Sequence, residues 1–245
     1  MKGILTALLL LMFIGTVNAL VIKVDVAETL KGNVSSFSIN SSSNIVKLPI
    51  EFYDTGSVAY LARVRIYVYN DTDLIFSGWS AEKALKPGDR KLFDIFWPAT
   101  DAGNYTAKLR IYFGNEIFEQ GGFRIQVNKT VQAEDVFDVR DFKTHDDHVD
   151  FNIISRNDSS DAVVVPLKYT SGWVFEQAEV GSMKAGESKR VTLHYISGVW
   201  TPGSLKLVVA SNSGSFYTEK NLEMKKETDL FEPIRQALCM IKICI

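Results

Sequence analysis

The chain has 245 residues, 46% of them hydrophobic and 23% charged, which is ordinary globular usage and enough for one large or two medium domains. A formal net charge of -2 supplies no basic field to hold nucleic acid, and three histidines with two cysteines leave little material for several metal sites. Nucleic acid is therefore not an expected partner, and no cofactor is implied.

At the N-terminus Lys2 precedes an apolar run over 4–14, which Gly15, Thr16, Val17, Asn18 and Ala19 close. Val17 and Ala19 fit signal-peptidase cleavage with Leu20 as the first mature residue, so 1–19 is expected to be a signal peptide and the protein extracellular or at the cell surface. Two alternatives stay open. Apolar character resumes at Leu20, Val21 and Ile22, so 3–22 is long enough for an uncleaved membrane anchor. Lys2-Gly3 also resembles the cleavage site of archaeal pilin-type signals, although the usual extra basic and polar residues are missing. Export agrees with the sequons at Asn33, Asn40, Asn70, Asn104, Asn128 and Asn157, each in an expected loop or strand edge where a glycan would not enter a core.

Past the signal, 20–27 alternates as a first strand, and a Ser/Asn-rich loop is expected over 33–44. A second strand covers 45–52. After a turn at Asp54, Thr55, Gly56 and Ser57, a long strand over 58–69 points Ala62, Val64, Ile66 and Val68 inward and Arg63, Arg65, Tyr67 and Tyr69 outward. Strands at 74–76 and 90–97 follow, the latter behind the turn Lys86-Pro87-Gly88-Asp89. Next, Tyr105, Ala107, Leu109, Ile111 and Phe113 form an inward face against Thr106, Lys108, Arg110 and Tyr112, and 116–127 closes the sheet. Short strands with turn signals about every 8–12 residues, and no long helical period, indicate a β-sandwich.

From Val131 the plan recurs. Gly186 in Lys184-Ala185-Gly186-Glu187 lies 98 positions after Gly88 (186 − 88), and Gly203 lies 100 after Gly103 (203 − 103). An offset near 100 is the length of one immunoglobulin-like domain, so the expected fold is all-β, with two tandem immunoglobulin-like sandwiches over 20–130 and 131–226. The linker 128–134 has no Gly/Ser or Pro run and is expected to be short and stiff, with the domains end to end. The tail 227–245 has Thr228 or Asp229 as a cap, Pro233 in the first turn, and Ile234, Leu238 and Ile241 at helical spacing. A short C-terminal helix is expected there, either packed on the second sandwich or in peripheral contact with a membrane or partner.

Asp101, Gly103 and Tyr105 resemble the tyrosine corner of immunoglobulin-like domains, in which the phenol bonds back to the backbone; Ala107 stands where that family has a cysteine. The second repeat has Leu205 at the tyrosine's position. The succession of turns and aromatic-ending strands over 45–127 and 150–222 resembles the CARDB-type modules of bacterial and archaeal surface proteins. That resemblance implies spacer or adhesion roles and brings no catalytic residues.

His145-Asp146-Asp147-His148, with Asp150 beyond, is the one cluster of metal-ligand types at close spacing, in a turn between strands starting near Val136 and Val149; His145 and His148 are the candidate ligands. His194 alternates within a strand and reads as a surface residue. Cys239 and Cys244 have four residues between them, so a terminal disulfide, free thiols and intermolecular pairing are all open. No Gly-x-Ser-x-Gly, His-Glu-x-x-His or phosphate-cradling loop occurs, and no catalytic residue is assigned. In an immunoglobulin-like sheet the outward Arg63, Arg65, Tyr67 and Tyr69 would lie beside Lys108, Arg110 and Tyr112, a face able to stack sugars and pair acidic groups. The leading expectation is a non-catalytic structural or adhesive surface module whose partner is a cell-surface protein or glycan. A carbohydrate-binding protein is the alternative, and a metal-dependent enzyme the distant one.

Overall fold

In the computed structural model the residues described are 29–39, 45–128, 130–169, 172, 174–196, 202–211 and 216–224. The expected signal peptide, the strand at 20–27, the sequon at Asn40, the C-terminal helix and both cysteines lie outside them. The described residues are all-β, and no helix among them is long and apolar enough to cross a membrane.

The first eight strands are β1 (Gly32–Phe37), β2 (Val46–Asp54), β3 (Tyr60–Asn70), β4 (Asp73–Trp79), β5 (Lys83–Leu85), β6 (Arg90–Trp97), β7 (Gly103–Phe113) and β8 (Glu116–Val127). They form an antiparallel sheet β1-β2-β6 facing a second one, β4-β3-β7-β8, with β5 paired to β3. The alternation read from the sequence sets the inward faces: Ala62, Val64, Ile66 and Val68 of β3 and Leu109 and Ile111 of β7 have no exposed surface. They meet Leu48, Ile50 and Phe52 of β2 and Phe93 and Ile95 of β6 in one core.

The strands β9 (Gln132–Ala133), β10 (Phe137–Thr144), β11 (His148–Ser155), β12 (Ser159–Tyr169), β13 (Ala178–Met183), β14 (Ser188–His194), β15 (Gly203–Ser211) and β16 (Phe216–Met224) repeat the plan. Here the sheets are β10-β11-β14 and β13-β12-β15-β16-β9, the last pair parallel. The repetition extends to single hydrogen bonds. The Asp89 amide donates to the Lys86 carbonyl at 2.8 Å and the Lys86 amide to the Asp89 carboxylate at 3.1 Å; Glu187 and Lys184 make the same pair at 3.0 and 2.8 Å. Gly88 and Gly186 close these turns at φ 85° and 78°, the left-handed region that excludes most side chains.

Two expectations are corrected. The segment 33–44, read as a loop, carries the edge strand β1 up to Phe37. A register shift between Val34 and Ser36 sets the core-facing Val34 and Phe37 three positions apart, which breaks the period of two that marks a strand. Phe37 is held by Phe123, with ring centroids 4.2 Å apart.

The two sets of strands also pack side against side instead of meeting only end to end. Ala162, Val164, Leu205, Leu207 and Val209 face the C-terminal core, while Val163, Val165, Val208 and Ala210, on the other face of the same sheet, join the N-terminal core. A sheet buried on both faces shows continuous apolar runs, here Ala162 to Val165 and Leu207 to Ala210. Gln177 adds a polar clamp: its Oε1 accepts the Phe96 amide at 2.7 Å and its Nε2 donates to the Phe96 carbonyl at 2.8 Å, capping the free edge of β6. The linker is pinned as well, since the Val131 amide donates to the Ala99 carbonyl at 3.2 Å.

Candidate functional site

Register brings the Arg/Tyr face together. Across β3 and β7, Arg63 stands opposite Tyr112, Arg65 opposite Arg110, Tyr67 opposite Lys108 and Tyr69 opposite Thr106. The face is not uniformly open. Tyr67 is buried between guanidinium groups, Arg65 lying 4.5 Å and Arg110 5.5 Å from its ring centroid, and burial raises its hydroxyl's pKa. Lys108 and Arg110 both pair with Glu119 of β8 and hold its carboxyl below the ordinary range. Tyr69 sits at the far end of the strand. Tyr67, Lys108, Arg110 and Glu119 therefore form a self-satisfied strip.

Arg63, Arg65 and Tyr112 instead line a cleft of about 650 Å³, with Leu61, Trp79, Glu82, Gly114 and Ile196. Trp79 and Tyr112 rings lie 5.1 Å apart and tilted, and Arg65 reaches over Trp79 at 4.8 Å while its Nε donates to Ser77 Oγ at 2.9 Å. Arg63 bonds Glu82 at 3.2 Å and keeps a buried Nε without a hydrogen-bond partner. Aromatic walls with fixed cations suit a ring-bearing, anionic ligand. Sequence reasoning missed Trp79, which arrives from the β4 hairpin, and Ile196, which comes from the C-terminal set of strands.

The histidines converge as well. The His145 amide donates to the His148 carbonyl at 2.9 Å, closing the turn from β10 to β11, and β14 places His194 directly across from His148. All three histidines of the chain thus share one surface, together with Asp147 and the buried Asp150. His194, read from sequence as a lone surface residue, is exposed but has histidine company. The described sequon residues Asn33, Asn70, Asn104, Asn128 and Asn157 are all exposed.

No family model matches the chain, and no curated protein matches it. Among solved structures, it is similar to red sea bream transglutaminase at 7% identity and a TM-score of 0.30, over 84% of this chain and 32% of that one. It is similar to dimeric latent PorU from Porphyromonas gingivalis at 18% identity and a TM-score of 0.28, over 78% of this chain and 20% of that one. It is also similar to the BSP domain of a biofilm-associated protein at 8% identity and a TM-score of 0.29, over 83% of this chain and 53% of that one.

Proposed function

We propose that the protein is an exported, glycosylated, non-catalytic module of two immunoglobulin-like, CARDB-type sandwiches, spanning 20–130 and 131–226, that acts as a structural or adhesive element at the cell surface. The observation that carries this reading is the C-terminal five-stranded sheet buried on both faces, which joins the two sandwiches into the stiff unit that a spacer needs. Exposure of the sequon asparagines supports export. The test is where the native protein resides. The chain, begun at Leu20 and carrying glycans, is expected to be degraded when protease is added to intact cells, and cells lacking it to attach less well. A chain protected until lysis contradicts the reading.

The cleft favours a second reading, recognition of an acidic glycan by Arg63, Arg65, Trp79 and Tyr112. A sugar face would lie on the aromatic wall while its carboxylate or sulfate met the guanidinium groups. Binding on a glycan array is expected to be lost on Tyr112→Ser and Trp79→Ala; unchanged binding by both variants removes the idea.

A further inference from the structure

The outer face of the β10-β11-β14 sheet carries a group that neither a spacer nor the cleft uses. Asp150 lies on the solvent side of β11, opposite Thr192, yet its residue surface is only 4% exposed. His145 Nε2 lies 3.3 Å and His148 Nε2 3.5 Å from the same Asp150 Oδ2. Bonds of about 2.0–2.1 Å at tetrahedral angles set the ligand atoms of a zinc ion roughly 3.3 Å apart. Both distances to the carboxylate fit that spacing. The two imidazoles are stacked, with centroids 4.3 Å apart and planes 16° from parallel, so one ring must rotate to bring both in-plane lone pairs onto a single ion.

Two further contacts match the support that a metal ligand needs. Asp147 Oδ1 lies 2.6 Å from His148 Nδ1, the outer carboxylate that fixes a ligating imidazole's tautomer and leaves the Nε2 lone pair free. Thr192 Oγ1 donates to Asp150 Oδ1 at 2.5 Å, which orients the carboxylate with Oδ2 toward the histidines. Arg190 Nη2 also reaches Oδ2 at 2.5 Å, from a side chain 70% exposed. That guanidinium occupies the position a cation would compete for.

We propose that His145, His148 and Asp150 form a three-ligand site for a divalent transition metal, zinc by preference, with Asp147 as the positioning residue and Arg190 as a displaceable cation that tunes affinity. Mixed imidazole and carboxylate ligands favour zinc or copper over magnesium or calcium, which take oxygen. Three protein ligands leave a fourth position open to water or to a group on a partner surface.

The experiment is calorimetric titration of zinc into the untagged, metal-stripped full chain, repeated with cobalt, whose visible spectrum reports coordination geometry. Saturable binding of about one ion per chain is expected, weakened about tenfold or more by either His145→Gln or His148→Gln. His145 is 41% exposed by side chain, so its substitution leaves the fold intact, and an unchanged thermal transition without metal verifies this. Arg190→Gln is expected to tighten binding several-fold, a response that a purely structural ion pair would not give. Absence of binding tighter than about 100 µM overturns the proposal. So does binding indifferent to His145→Gln. Binding lost in His194→Gln but kept in His145→Gln would place the ion on Asp147, His148 and His194 instead, and overturns the assignment equally.

Discussion

The Tyr105 hydroxyl donates to the Asp101 carbonyl at 2.9 Å, the backward bond that the resemblance to a tyrosine corner implied. The ring is buried edge-on against Trp97 at 4.9 Å, so its apolar part packs as any core aromatic would, and the hydroxyl alone distinguishes it from phenylalanine. Tyr105→Phe is expected to lower stability by about 0.5–1.5 kcal/mol in urea unfolding with the m-value unchanged. A second residue makes a pH prediction. Burial pushes the Glu176 carboxyl above its ordinary range, while His194 and Arg63 pull it the other way. The native state then holds its proton more tightly than the unfolded chain does, so this residue's contribution falls as pH rises from about 4.3 upward. Glu176→Gln, which keeps the shape and removes the titration, should match the wild type near pH 4 and exceed it in melting temperature at pH 7. A wild type that gains on the variant as pH rises would reverse the sign.

Among the elements, β3 and β7 were legible because each buries one face and exposes the other, and their register then brought Arg63, Arg65 and Tyr112 together as expected. What escaped the sequence has physical causes. A bulge hid β1, and burial on both faces erased the alternation of β12 where the two halves meet. Trp79 reached the cleft through a hairpin, and His194 reached the other histidines through a pairing of strands 46 positions apart (194 − 148), neither of which has a local signature. The interface between the halves relies on the Gln177 clamp. Gly78 permits it: a Cβ there would stand 2.7 Å from Gln177 Nε2 and 2.9 Å from the Phe76 ring. Gln177→Leu keeps the volume but leaves the buried amide and carbonyl of Phe96 without partners. Equilibrium unfolding is expected to show a loss of about 2–4 kcal/mol. A loss below about 0.5 kcal/mol would mean that the clamp is replaceable by water.

For the whole molecule, the packing of the two sets of strands against each other decides how it unfolds. The turns at Gly88 and Gly186 match in backbone conformation and hydrogen bonding. The apolar back of the C-terminal sheet, set into the N-terminal core, makes the two halves depend on each other. Separated halves would expose Val163, Val165, Val208 and Ala210 to water, an apolar patch that a free domain would not keep. Differential scanning calorimetry of the intact chain tests this dependence most directly. One transition is expected, with calorimetric and van't Hoff enthalpies equal, because neither half retains its core once the other opens. Two resolved transitions, or a calorimetric enthalpy about twice the van't Hoff value, would show two independent domains and contradict the fused module.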